Sequence, residues 1–519
     1  MLLCSVTRTL ALTTLLSSNG LFASATPQNN DENALLQTCL TDSVGGDATR
    51  AQFSSGENFS TEYVKPYNRQ YPYTPFAVMY PKNAEEVGEM VKCASENNRK
   101  VQARSGGHDY VSKCIGGADG AAVIDLKNLD QFTVDGDTHI ATIGPANGLK
   151  AVVEGLHNNG KRMIPHGTSA TVGIGGHTTV GGFGPAPRRD GLTLDSLRPV
   201  EVVLANGTVV RASSSTHPGL FWAMRGAGQS FGIATSFEFD TKLQPPNVVT
   251  YQYNITSSDS AVLAESLQAW QALIADPALP RDLYTFVILQ GPTLLVRGTF
   301  LGTRAAFDAL RLHDRVRNIA AAATTVSDAS WLDTYTATFR FTDNLLTDAF
   351  FAAHTAAVPA TTVSDASWLD TYTATFRFTD NLLTDAFFAA HTAAVPAAND
   401  SLAALITHLR AGSPGPAARW WVLIDATAFP HRGALCYFQL YAASQEARIG
   451  EEGMRFADGA VEALQAGRYG VYAGYPDAGL EEPQKKYWAG NLARLQEIKG
   501  VVDPRDVFST GHGVKPARG

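Results

Sequence analysis

Three glycine-dense stretches between residues 104 and 228 constrain this chain more than any other feature. The first is Arg104-Ser105-Gly106-Gly107-His108-Asp109-Tyr110. The second runs from His166-Gly167-Thr168-Ser169-Ala170-Thr171-Val172-Gly173-Ile174-Gly175-Gly176-His177 to Gly181-Gly182-Phe183-Gly184, and the third is Phe221-Trp222-Ala223-Met224-Arg225-Gly226-Ala227-Gly228. Glycine lets a backbone approach a ligand, and an adjacent imidazole supplies a nucleophile or a ligand atom. A lone histidine after two glycines is more often a turn residue, so the meaning of these stretches depends on what surrounds them.

Their surroundings alternate strand and helix. Phe76 to Tyr80 reads as a short apolar strand, and Asn83 with Glu86 three residues on reads as a capping box for a helix. Val87, Met90, Val91 and Ala94 fall at the spacing of one buried helical face. Lys100 to Ala103 returns as a strand that ends in the first glycine stretch, a good place for a ligand. Val123 to Leu126 and Ile140 to Ile143 read as strands, and Leu149, Val152, Val153 and Leu156 as a helical face stopped by Asn159-Gly160. Val200 to Leu204 and Val209 to Arg211 flank Asn206-Gly207, a hairpin signal, and Phe231 to Phe239 closes the region. Beyond it, Tyr284 to Leu289 and Leu294 to Phe300 read as strands, and Ala261 to Ala275 and Ala305 to Ile319 as helices. A chain of 519 residues is long enough for two domains or more.

In order, spacing and flanking pattern, the three stretches resemble the FAD-binding domain of the berberine bridge enzyme-like oxidoreductases, flavoproteins of the vanillyl-alcohol-oxidase type. Near the C-terminus, Tyr487-Trp488-Ala489-Gly490-Asn491-Leu492 and Ile498-Lys499-Gly500-Val501-Val502-Asp503-Pro504 resemble the segment with which that family returns to its flavin domain. The resemblance implies an α+β fold: a two-subdomain PCMH-type FAD-binding domain over residues 26–245, and an antiparallel-sheet substrate domain covered by helices over 246–455. The returning segment would take 456–519, and residues 1–25 would be a signal peptide.

It also implies a site. His108 would bond covalently to the methyl carbon at the flavin 8 position, which fixes the ring system and raises its reduction potential. Arg104, Ser105, Gly106, Gly107, Val172, Gly173, Gly176 and Gly182 would bind the cofactor beside it. Many relatives add a second tether from a cysteine where this chain has Ser169. Serine is a far weaker nucleophile, so FAD is expected to be held by a single bond, in a more open site of somewhat lower potential. His177 would face the flavin N1 and C2 oxygen as a preorganised donor. Val172 stands where oxygen-reducing relatives tend to carry valine. Tyr110 and Gln439 would line the substrate pocket, although either could equally be a core residue. Tyr472-Ala473-Gly474-Tyr475-Pro476-Asp477 resembles the family's Tyr-x-Asn-Tyr-x-Asp with Gly474 in place of asparagine. Tyr475 would be the catalytic base.

The expected activity is a secreted FAD-dependent oxidase that takes hydride from an alcohol-type small molecule, a secondary metabolite or sugar-like compound, and passes it to O2. A dehydrogenase using another acceptor and a degenerate binding protein are the rival readings. Nucleic-acid binding has little electrostatic support at a net charge of −8 without any Lys/Arg block. No metal is expected. Arg8, the apolar run Leu10 to Leu16 and Ala23-Ser24-Ala25 have the form of an export signal, and no apolar run is long enough for a membrane anchor. Four Asn-x-Ser/Thr tripeptides, at Asn58, Asn206, Asn254 and Asn399, agree with export. Cys39, Cys93, Cys114 and Cys436 would remain after cleavage and allow three full pairings. The family arrangement favours Cys39 with Cys93.

Beyond Ser169 and Gly474, two larger features depart from the family pattern. Residues 323–359 and 360–396 are identical letter for letter, whereas the pattern has room for one copy. Only one is expected to be integrated, because a core built for one cannot bury the same apolar residues twice. The loop between Asp425 and Ala428 is nearly absent where relatives have a longer one.

Overall fold

The computed structural model describes residues 30–182, 184–316, 324–345, 387–394, 399–412, 418–425, 437–444, 451–463, 473–474 and 476–517, with strands 387–394, 418–425 and 437–444 described as backbone only. The export signal, Ile319, Cys436, Tyr472, Tyr475 and the short loop after Asp425 lie outside the described residues.

A four-stranded sheet carries the first glycine stretch. Its spatial order is Ala51–Phe53, Ala77–Met79, Ala122–Asp125, Val101–Arg104, and the last three run parallel. The parallel pairing requires a crossover, supplied by helix Ala84–Glu96. Val87, Met90, Val91 and Ala94 are all fully buried beneath it, each of the larger ones contributing about 1.5–3 kcal/mol. Asn83 Oδ1 accepts from Glu86 N at 2.8 Å as the capping pattern requires. Glu86 does not complete the box, because its carboxylate accepts instead from Lys82 N and from Arg50. Cys39 and Cys93 are joined, tying the N-terminal helix Asn30–Asp42 to this one, and Cys93 is buried.

The second glycine stretch belongs with a five-stranded antiparallel sheet in the order Phe132–Val134, Ile140–Ile143, Ile233–Asp240, Leu197–Val203, Val209–Ala212. The Asn206-Gly207 turn joins the last two, with Gly207 at φ +82°. Helix Leu149–Asn158 buries Leu149, Val152, Val153 and Leu156 against this layer.

A third, antiparallel sheet has seven strands: Thr324–Ala329, Val248–Thr256, Thr293–Phe300, Leu283–Gln290, Ala418–Asp425, Tyr437–Ser444, Phe387–Ala394. Helices Ser260–Ala275, Asn399–Ala411 and Glu451–Ala463 supply Leu267, Trp270, Leu405 and Phe456 to its core. The single helix expected from Ala305 is broken. Arg304–Asp308 and Leu312–Arg315 are separate because Arg311 takes a left-handed φ of +49°.

Each copy of the duplicated segment contributes to this sheet, at opposite edges. Thr324–Ala329 comes from the first copy, as does helix Trp331–Leu345, whose Trp331, Tyr335 and Phe339 are buried. Phe387–Ala394 comes from the second and pairs with Tyr437–Ser444. The described elements thus amount to the front of one copy and the back of the other, rather than one copy whole.

The C-terminal segment folds back over the first two sheets. Val101 N donates to Val507 O at 3.0 Å, Trp488 Nε1 to Gly226 O at 3.2 Å, and Lys499 Nζ to Ser230 O at 2.6 Å.

Candidate active site

The strand Val101–Arg104 ends one residue before the ligand-facing turn, and Arg104 anchors that end. Its guanidinium pairs with Asp125 at 2.7 Å, on the neighbouring strand, and donates to Val64 O and Tyr63 O at 2.6 and 2.8 Å. With each of its three guanidinium nitrogens engaged in a buried network, Arg104 holds the turn in place from behind and is absent from the cleft wall.

The first two glycine stretches then meet backbone to backbone. A Cβ on Gly106 would strike Gly173 N and Thr171 O, and one on Gly173 would strike Ser105 Oγ and Gly106 N. Only glycine permits this approach. Ser105 Oγ donates to Pro145 O at 2.5 Å and pins the junction. A cleft opens above it, with roughly 1700 Å³ of non-atom space including its mouth.

His108 stands in that cleft, half-buried, with Nε2 2.8 Å from Thr171 Oγ1 and its ring stacked on Tyr67 at 4.5 Å. Desolvation lowers its pKa to about 4, so the imidazole is a neutral nucleophile at pH 7. Tyr67 in turn stacks on Tyr110 at 5.9 Å, and both line the cleft. Asp109 closes the turn by accepting from Val111 N and Lys113 N, and pairs with Lys113 Nζ at 3.3 Å.

His177, on helix Ile174–Val180, accepts from Gly167 N through Nε2 at 3.0 Å, so its proton resides on Nδ1. Burial, with a smaller push from His166, lowers its pKa to about 3. It is therefore a neutral donor. Gly182 (φ +79°) lies against its ring, where a Cβ would strike His177 Cδ2 and Thr193, so this glycine shapes the cleft from behind the wall. Ser169, Val172 and Gly176 line the cleft directly. A Cβ on Gly176 would meet nothing within 4 Å and would project into open space.

Of the expected substrate-side residues, Tyr110 is in the cleft wall. Gln439 is placed by its backbone alone, paired with Leu423 and Thr392 in the seven-stranded sheet. Tyr475 lies outside the described residues, but Ala473 and Gly474 before it line the cleft. Behind them Tyr487 Oη accepts from Asp477 N at 3.2 Å and shares a hydrogen bond with His512 Nδ1 at 3.3 Å, fastening this segment to the C-terminal tail.

Tyr67, Thr171, Lys113 and Cys114 complete the surroundings of His108 without having stood out in the sequence. Tyr67 lies in a tyrosine-rich stretch far from any motif, and nothing in its spacing points to His108. Cys114 is buried against Gly107 O at 3.4 Å, and desolvation pushes its thiol up to about 12. It is a protonated thiol, unsuited to nucleophilic attack.

The residues present suit a large flat cofactor whose ring system reaches His108: a glycine-rich wall, open space over Gly176 and a neutral imidazole at the end. Two family models match the chain, "FAD binding domain" over residues 75–213 and "Berberine and berberine like" over 471–515. The FAD-linked oxidoreductase sorD of Penicillium rubens is 35% identical over 485 residues, 92% of this chain and 98% of its own.

The chain belongs to the berberine bridge enzyme-like FAD-linked oxidoreductases.

The xylooligosaccharide oxidase of Thermothelomyces thermophilus is 31% identical over 494 residues, 88% of this chain and 91% of that one. Among solved structures, a xylooligosaccharide oxidase from Myceliophthora thermophila C1 in complex with xylobiose matches with a TM-score of 0.77 at 28% identity, over 93% of this chain and 100% of that one. A glucooligosaccharide oxidase from Acremonium strictum, with a 6-S-cysteinyl, 8α-N1-histidyl FAD, matches with the same TM-score at 27% identity, over 93% and 100%. This chain is therefore an FAD-linked oxidoreductase of α+β fold.

Proposed function

We propose that the protein oxidises a hydroxyl group of an alcohol-type small molecule and uses O2 as acceptor. The carrying observation is His108: a neutral imidazole in a glycine-walled cleft, in a chain of this family. FAD, when bound, accepts hydride at N5 and delivers the electrons to O2 as hydrogen peroxide.

The remaining work falls to the protein's own side chains. His108 tethers the cofactor through one bond. Ser169 supplies no second, and Cys114, held as a thiol, does not replace it. Ser105, Gly106, Gly107 and Gly173 shape the binding surface, Arg104 and Gly182 brace it from behind, and Val172 and Gly176 keep space at the ring. His177 presents Nδ1–H towards developing negative charge, a donor fixed before reaction and hence without reorganisation cost. Tyr475 takes the substrate proton. A phenol near pKa 10 is a poor base at neutral pH, so a neighbouring cation or donor must favour its phenolate. Tyr110 and Gln439 flank the substrate. Residues 26–245 form the FAD domain, 246–455 the substrate domain and 456–519 the return segment, with residues 1–25 directing export. The single tether and Gly474 at the pocket favour a secondary metabolite over an oligosaccharide.

Anaerobic stopped-flow reduction by a panel of alcohols and sugars, followed by peroxide measurement under air, tests the reading. Tyr475→Phe should keep its flavin while reduction slows by roughly 10²–10⁴, the usual worth of a general base. Reduction at the wild-type rate would place the base elsewhere. Reduction by substrate without peroxide under air would make the protein a dehydrogenase.

A further inference from the structure

The two nitrogens of His108 are not equivalent. Nε2 is held 2.8 Å from Thr171 Oγ1, while Nδ1 has no hydrogen bond among the described residues. The backbone that carries the hydroxyl has a fixed place, because Thr171 O packs on Gly106 in the contact that joins the two glycine stretches. Tyr67, stacked on the ring at 4.5 Å, limits its tilt. We propose that Thr171 is the positioning residue for flavin attachment: its hydroxyl holds the Nε2 edge of His108 and so presents Nδ1, the counterpart of the N1-histidyl link of the glucooligosaccharide oxidase, to the flavin 8-methyl carbon. The proposal rests on the reading that His108 carries the flavin.

A ring nitrogen attacks through a free lone pair, so attack by Nδ1 requires the proton on Nε2. That N–H donates to Thr171 Oγ1. As the new bond forms, the ring gains positive charge and the Nε2–H bond becomes charge-assisted. An acceptor there offsets the penalty that burial places on an imidazolium. The balance is simple. The Nδ1–carbon bond forms, one methyl C–H and the imidazole N–H break, and the electron pair with the two protons passes into the flavin ring, which is reduced. Dioxygen then takes two electrons and two protons, leaves as hydrogen peroxide and restores the oxidised ring.

Wild type, Thr171→Val and Thr171→Ser, each produced flavin-depleted, are incubated with FAD under air. Total bound flavin is followed beside the flavin that stays with acid-precipitated protein, and NMR of the wild-type flavin peptide identifies the substituted nitrogen. Thr171→Val should bind FAD but attach it about 10-fold more slowly, the worth of one hydrogen bond. Thr171→Ser should attach it near the wild-type rate, and the wild-type linkage should be at Nδ1. Attachment by Thr171→Val at the wild-type rate, or a linkage at Nε2, would overturn the proposal. If Thr171→Val does not bind FAD, the wild-type linkage site and the Thr171→Ser rate decide. Should wild type bind FAD yet release all of it in acid, the attachment reading itself fails and takes this proposal with it. That outcome is distinct from a wild type that attaches normally while Thr171→Val is indifferent.

Discussion

His166 and His177 are held neutral by burial, with pKa values of about 4 and 3. An exposed imidazole titrates near 6.5, so below that pH the unfolded chain takes up protons that the folded chain refuses. Their contribution to stability is therefore full above about pH 7 and is lost as pH falls through 6.5 towards 4. Thermal melts should show a midpoint that declines steadily from pH 7 to pH 4.5, and a flat profile would contradict these assignments. A second expectation concerns Ser169, which lines the cleft at the position we propose to correspond to the family's second, cysteinyl tether. Ser169→Cys should acquire a second, cysteinyl link to the flavin, read by mass spectrometry of the flavin peptides. If that variant retains a free thiol beside a bound flavin, the correspondence of this position with the family's cysteine is wrong. At this scale the motifs led to residues that the fold brings to one cleft, His108, Gly106, Gly173 and His177, whereas Tyr475, also read from a motif, lies outside the described residues. Arg104 shows the limit: its motif position was readable, but its side chain serves Asp125 and the backbone behind the turn, a choice made by tertiary packing. Tyr67 and Thr171 act on His108 through space, which no spacing rule encodes.

Helix Leu492–Val502 illustrates how one element fixes another's position. Lys499 is 0% exposed and pairs with Asp503, also 0% exposed, at 2.6 Å. It donates as well to Ser230 O, next to the cleft-lining Gln229, while Asp503 accepts from Val507 N and Phe508 N. Removing one partner of such a pair leaves an uncompensated buried charge. Lys499→Ala should cost about 3–5 kcal/mol, visible in denaturant unfolding, with loosened flavin binding because Phe508 lines the cleft. A loss below about 1 kcal/mol, the level of an exposed pair, would show that the segment is held by apolar packing instead. Most elements were readable from hydrophobic period and caps, such as helix Ala84–Glu96 with its Asn83 cap and the Asn206-Gly207 hairpin. The break at Arg311 was not, because an arginine in a left-handed conformation carries no signal in composition. The capping box at Asn83 was half right: Arg50, distant in sequence, competes for the Glu86 carboxylate.

For the whole molecule, the duplicated segment is the feature that most needs a physical account. The first copy supplies an edge strand and a helix whose Tyr335 ring lies 4.3 Å from His166, and the second supplies the opposite edge strand. Because the copies are identical, removing residues 360–396 leaves the same Phe-Phe-Ala-Ala-His-Thr-Ala-Ala sequence, at 350–357, to fill that second edge. The shortened chain should fold with an unchanged or higher thermal midpoint, since it orders the same elements with a shorter connection to close. A marked loss of stability would mean that residues 350–357 cannot replace 387–394 at that edge. The sequence exposed the duplication at once, but how two copies share one sheet depends on strand pairing between distant segments. The central claim, that this chain is a flavoenzyme with its cofactor anchored at His108, is tested most directly by acid precipitation of the purified wild-type protein followed by peptide mapping. The expected result is a yellow precipitate whose flavin maps to the peptide containing His108. A colourless protein, or flavin recovered wholly in the acid supernatant, would contradict it.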